Sequence, residues 1–253
     1  MYREANGTVA TRYPFTGDFL ASRLRDRYAE ADLDAIEALV DEGMHLPDRA
    51  TLGTQGDRSP SFAAIIVEGF MFRITQRDGR RFIVSIHVPG DIMNLQGFAF
   101  DRIDHEMQAA GKVRVGRIPF DRLERTLAER HAVAGALWSG TLLDAALHRK
   151  WIQVAAQLDA PQRIAHIYCE LHERLGFIGQ AGPRVLRAPF TQTDLADMCG
   201  VSAVHANRAV ARLREFELAE IRRGTLYTQD WDSLRRYAEF DPAYLQASHS
   251  ANA

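Results

Sequence analysis

The stretch FTQTDLADMCGVSAVHANRAVARLR, residues 190–214, has the spacing of a helix-turn-helix. Thr191 can cap a first short helix, with Asp194 three residues on as the reciprocal partner of a capping box. Leu195, Ala196 and Met198 supply that helix's apolar side. Cys199-Gly200-Val201 then makes a tight turn, where Gly200 takes the positive φ that other residues resist. Ser202 caps a second helix whose buried face is Ala206, Ala209, Val210 and Leu213. Val204, His205, Asn207 and Arg208 are left facing outward near its start. Those residue types can read base edges from a helix end lying in a major groove. The plain alternative is an ordinary helical hairpin.

The residues downstream favour DNA. Residues 218–221 and 226–228 flank Arg222-Arg223-Gly224-Thr225, a β-hairpin with a basic tip and the layout of a wing that touches phosphates. Thr191, Thr193, Ser202, Arg212, Arg222 and Arg223 are the expected phosphate contacts. Net charge is −2 over 253 residues and does not advertise nucleic acid. The distribution matters more than the sum. Arginines cluster from Arg208 to Arg236, while Glu30-Ala31-Asp32-Leu33-Asp34 and Asp41-Glu42 make the other end acidic.

Upstream, residues 28–40 carry Leu33, Ile36, Leu39 and Val40 at helical spacing. From Met44 to Arg117 the texture turns to short β-rich runs, FAAIIVEG, FMFRITQ, RFIVSIHVPG and GKVRVGRIP, broken by Gly, Pro, Asp and Asn. Gln76-Arg77-Asp78-Gly79 reads as a hairpin turn. Strands so spaced suggest a small β-sandwich or jelly roll. Residues 120–130 then form an amphipathic helix, and 132–158 a longer one of roughly 40 Å. Its expected apolar stripe is Leu137, Thr141, Ala145, His148, Ile152 and Ala155. That length suits packing against a second copy, as in a two-stranded coiled coil; burial against its own sandwich is the other reading. Pro161 fits the first turn of a further helix at 162–175. Residues 176–189 read as a loop, 231–240 as a closing helix, and 246–253 as a disordered tail.

Composition is that of a globular protein, 46% hydrophobic and 25% charged. No window reaches the length of an apolar membrane span, and MYREANGTVATRYPF carries no signal-peptide pattern, so a cytoplasmic address is the expectation. Cys169 and Cys199 are the two cysteines, too few for a disulfide framework or a thiolate-rich metal site.

This order of parts resembles the CRP/FNR family of bacterial transcription regulators. The resemblance runs from about Tyr28 to Tyr244 and rests on VEGFMFRITQRDGRRFIVSIHVPGD, the long helix, and TQTDLADMCGVSAVHANRAVARLREFELAEI with its wing. It implies an α+β protein: a jelly-roll, cyclic-nucleotide-binding-like sensor over residues 1–130, a dimerisation helix over 131–158 and a winged helix-turn-helix over 159–245. It implies a homodimer on palindromic double-stranded DNA, contact with RNA polymerase in activating members, and no membrane partner. The family's mid-helix arginine falls on Arg208 and its small polar base reader on Asn207. A glutamate that many members use falls on Val204, so the usual half-site is not expected.

The sensor departs further. The family's ribose-holding pair falls on Asn94 and Leu95, and its phosphate-holding pair on His105 and Glu106, where a carboxylate repels phosphate. Cyclic AMP is therefore not expected. An effector of other identity is expected to meet Asn94, Leu95, Gln96, Arg102, His105 and Glu106. An iron–sulfur cluster lacks its cysteines. Haem would rest on His87 or His105, which as lone histidines read as structural. No cofactor or metal is expected, and the chain is not expected to be an enzyme. The competing reading is a metal- or ligand-dependent β-roll enzyme with no DNA role, although no Walker loop or Gly-x-Ser-x-Gly elbow is present. A regulator acting mainly by protein contact is a third.

Overall fold

The structure, a computed structural model, describes residues 12–23 and 28–245; the expected tail at 246–253 lies outside them. Two helices, α1 (Gly17–Arg23) and α2 (Glu30–Glu37), precede an antiparallel sheet of β1 (Glu42–Leu46), β2 (Thr51–Gly53), β3 (Phe62–Arg77), β4 (Arg80–His87), β5 (Ile92–Met93) and β6 (Glu106–Pro119). Its main order is β1-β6-β3-β4, with β2 on β6 and β5 on β3. A 3₁₀ turn at Leu95–Phe98 separates β5 from β6. The expected hairpin turn is present, with Asp78 and Gly79 at φ 52° and 73°.

The strands are longer than the sequence suggests. FAAIIVEG and FMFRITQ are one strand, β3, joined through Gly69 at φ 86°. The β3–β6 register shifts on either side of Glu68, which marks a bulge. One extra residue exchanges the two faces of a strand. Before it, Ala64 and Ile66 face a core with Val113 and Val115; beyond it Met71 takes that side. Phe70, Phe72 and Ile74 thereby turn to a second core shared with the C-terminal half.

Helix α3 (Phe120–Glu129) leads to α4 (His131–Gln157) and α5 (Ala160–Phe177). Asp159 caps α5 in a capping box with Gln162, with Pro161 in its first turn. The segment read as a loop contributes a short strand, β7 (Val185–Leu186). After α6 (Gln192–Cys199) and α7 (Ala203–Glu215), strands β8 (Glu220–Arg222) and β9 (Thr225–Tyr227) complete a three-stranded sheet, β7-β9-β8. Helix α8 (Trp231–Tyr237) closes the domain. The sequence shows β7 poorly because two residues carry no readable alternation.

The halves meet through aromatic and ionic contacts. Phe190 lies 5.6 Å from Phe70 and 5.4 Å from Phe72, ring to ring. Arg174, buried in α5, donates to the Ile86 carbonyl at 2.8 Å and pairs with Asp91 in the Pro89-Gly90-Asp91 turn. It also faces the buried Glu170 carboxylate at 3.5 Å, which accepts hydrogen bonds from Tyr244 at 2.7 Å and Trp151 at 3.1 Å.

A Cβ at Gly69 would stand 2.5 Å from the Lys112 carbonyl oxygen, in a backbone conformation that L side chains resist. Gly69→Ala is expected to lower unfolding stability by more than about 1 kcal/mol. An unchanged urea midpoint would show that the bulge does not depend on glycine.

Candidate nucleic-acid interface and sensor cavity

The helix-turn-helix is built from its caps. Thr191 Oγ1 accepts from the Asp194 amide at 3.1 Å. The Asp194 carboxylate accepts from the Thr191 amide at 2.8 Å, closing the capping box. Gly200 ends α6 at φ 65°, and the Cys199 carbonyl accepts from Arg163 at 2.8 Å. Ser202 Oγ accepts from the His205 amide at 3.2 Å and starts α7. Ala206, Ala209 and Leu213 are buried, with Val210 at the margin. Val204, His205, Asn207 and Arg208 are exposed along one side, Val204 to 61%. A valine this exposed at the start of a helix is left without cover by the described residues, and suits apolar contact with a base.

Thr191, Thr193, Ser202 and Arg212 are also exposed. The Arg212 guanidinium lies over the Phe216 ring at 5.0 Å. In the wing, Arg223 and Gly224 form the turn at φ 49° and 78°. Arg222 differs from the expectation: Glu220 holds it in a fork at 2.7 and 2.8 Å, so its charge is already matched. The sequence reading places Arg222 in the turn, whereas β8 extends to Arg222, and residues two apart in a strand share a face, which sets it beside Glu220. Arg223 keeps the cation at the tip, with no ion pair among the described residues.

Asp194 does a second job. Two sensor arginines reach its buried carboxylate, Arg49 at 2.7 and 2.8 Å and Arg81 at 3.0 Å. Arg81 also binds Asp197 at 2.7 Å and Gln108 at 2.9 Å. Burial opposes ionisation of Asp194, but the Arg49, Thr191 and Arg81 hydrogen bonds outweigh it and hold the carboxyl at about 2.

In the sensor a cavity of about 600 Å³ lies between β3, β4, the 95–105 segment and α4. Leu95, Gln96 and His105 line it as expected. Asn94, Arg102 and Glu106 do not. Asn94 is buried with its amide donating to the Phe62 carbonyl at 2.8 Å. Arg102 turns outward to the Gly56 carbonyl at 2.8 Å. Glu106 accepts from Gln108 at 2.9 Å and Gln76 at 3.3 Å. Linear spacing cannot tell which way residues of a 3₁₀ turn and the loop after it point.

Sequence reasoning missed the cavity's centre, Arg73. Its guanidinium meets Asp144 at 2.9 Å and His148 at 3.2 Å, both on α4, and its buried Nε has no partner. His105 pairs with Asp104 at 2.7 Å. Asp144 already matches Arg73, Asp104 adds a further carboxylate, and burial holds His105 below its ordinary pKa, so the lining does not fit a cyclic phosphate. Cys169 and Cys199 are buried, and burial pushes both thiols up to about 12. That chemistry does not fit thiolate ligation.

Helix α4 also corrects its expected stripe. Leu137 is buried, and Thr141 and His148 join it on the cavity. The outward apolar residues are Trp138, Leu142 and Ile152, exposed to 68%, 59% and 70%. With Ala145, Arg149 and Ala156 they recur in alternating steps of four and three, the 3.5 period of a coiled-coil seam. A helix apolar on two sides gives a periodicity that names neither one.

Among the described residues no helix is long and apolar enough to cross a membrane. Residues 162–237 match the Crp-like helix-turn-helix domain. The chain is 30% identical to the nitrogen fixation regulation protein FixK of Rhizobium meliloti over 145 residues, 57% of this chain and 62% of FixK. It thus spans less than two thirds of FixK's length. It is 23% identical to the transcriptional activator protein FnrA of Stutzerimonas stutzeri over 75% of this chain and 77% of that one. Among solved structures it is similar to FixK2 from Bradyrhizobium japonicum, with a TM-score of 0.69 and 18% identity, covering 78% of this chain and 96% of that one.

Two buried histidines give the molecule an acid-sensitive stability. Burial lowers His87 to about 3 and His166 to about 4. Below pH about 6.5 the unfolded chain takes up protons that the folded one refuses, so stability falls as pH drops from there towards 4. Replacing both with Gln is expected to flatten the melting temperature's dependence on pH in that window. An equal slope in the variant would overturn the assignment.

Proposed function

We propose that this chain is a member of the CRP/FNR family of transcription regulators and works as a homodimer that reads a two-fold-symmetric promoter site. It is a DNA-binding regulator, and its relatives are regulators rather than enzymes, which removes the β-roll enzyme reading. One observation carries the DNA reading: a doubly capped helix-turn-helix leaves Val204, His205, Asn207 and Arg208 exposed on one side of α7. Arg208 has no ion pair among the described residues and is free for a guanine edge or a phosphate. Asn207 suits adenine, and Val204 a thymine methyl. Thr191, Thr193, Ser202, Arg212 and Arg223 supply phosphate contacts around them.

The exposed seam of α4 supports a second copy as the partner that places two α7 helices about one DNA turn apart. The sensor cavity supports a small effector other than a cyclic nucleotide, and no iron–sulfur or haem cofactor is part of the reading. Promoter action brings RNA polymerase as a partner, and a bacterial chromosome as target sets a cytoplasmic address.

Arg208→Ala is expected to weaken binding to a site selected by the wild-type protein by roughly 1–3 kcal/mol. Equal affinity would remove the role given to Arg208. Leu142→Asp with Ile152→Asp is expected to sediment as a monomer and lose on the order of 10²-fold or more in affinity for the full palindrome through lost avidity. A dimer that binds as before would move the interface elsewhere.

A further inference from the structure

We propose that the β3–β4 hairpin of the sensor is a second DNA-binding element, holding backbone phosphates beside the recognition helix through Arg77 and Arg80; this rests on the DNA reading above. The tip carries a like-charge pair. Arg77 and Arg80 sit opposite each other across the turn, an arrangement that costs stability in a sheet unless something offsets it. Among the described residues only weak contacts do so. Asp78 approaches Arg77 at 3.7 Å, but both side chains are more than 85% exposed, so the pair is weak. Arg80 lies over the Phe82 ring at 5.5 Å and has no carboxylate partner among the described residues. The ring fixes the direction of that guanidinium and leaves its donors free.

Position supplies the partner. Arg80, Arg81 and Phe82 share a cleft of about 240 Å³ with Gly200, Val201 and Ser202, the turn and cap that begin α7. Arg81 is spent on Asp194 and Asp197, and its role is to fix the hairpin against α6. Arg77 and Arg80 thereby extend the basic surface around the start of α7 onto the sensor, beside a helix end that itself favours anions. The neighbouring carboxylates, Asp194 and Asp197, are both matched by arginines. An evenly spaced phosphate backbone fits two uncommitted cations next to an α-helix in the groove. Such contacts position the protein and carry no base preference.

The test uses the full-length protein and a duplex selected from a random pool by the wild type. The duplex is made in two lengths, one flush with the palindrome and one extended by about ten base pairs at each end. Each phosphate contact contributes about 0.9 to the slope of log affinity against log salt concentration. Arg77→Gln with Arg80→Gln is expected to make that slope shallower by roughly 1–2. The variant is also expected to lose part of the affinity gained on extension and to keep the wild-type base preference. Arg77→Lys with Arg80→Lys is expected to keep the slope. An unchanged slope and an unchanged gain on extension would overturn the hairpin contact, and a partner of another kind would give that result. Arg208→Ala, run alongside, separates the two readings. If it weakens binding while the hairpin variant does not, only this inference fails; if the wild type selects no duplex from the pool, the DNA reading fails with it.

Discussion

The Asp194 carboxylate holds the molecule to one arrangement. It caps the first helix of the helix-turn-helix and at the same time accepts from two arginines that belong to the sensor. A buried carboxylate is tolerable only when its oxygens are matched, and here three partners match them. Local helix formation and the docking of two domains therefore draw on the same two oxygen atoms. Loosening either one leaves a buried charge short of partners, so the recognition helix and the sensor sheet are set in register by electrostatics as well as by the Phe190 aromatic cluster.

A second link runs from the cavity. Asp91 lines it and pairs with Arg174 of α5, while Asp144 and His148 meet Arg73 from α4. Anything entering the cavity touches groups already engaged with α4 and α5. The lining sets three carboxylates, Asp91, Asp104 and Asp144, against Arg73, in contrast to the excess positive charge a cyclic phosphate needs.

Much of this was legible in the chain. The caps at Thr191 and Ser202, the Gly200 turn, the Asp78-Gly79 hairpin and the first-turn Pro161 all come from local chemistry, where one residue type answers one backbone need. The misses share a cause of another kind. Arg222 reads as a free cation at a turn tip until β8 extends to it and sets it on one face with Glu220. Asn94 reads as a ligand contact until its left-handed backbone, at φ 62°, turns its amide inward. Arg73 carries no sequence signal at all, because its partners lie some seventy residues away on another element. On α4 the apolar pattern was visible and its direction was not, since one apolar side of that helix is buried and the other, with Trp138, Leu142 and Ile152, is exposed.

The bulge at Gly69 has a broader consequence. Because one inserted residue reverses which side of β3 faces the roll, Met71 seals the sensor while Phe70 and Phe72 grip the DNA-binding half. The connection between sensing and reading is thus written as a parity rather than as a contact strength. Loss or gain of a single codon there would leave a strand of the same length and nearly the same composition. Its aromatic side chains would close on the wrong interior, and the two halves of the protein would become strangers joined by a helix.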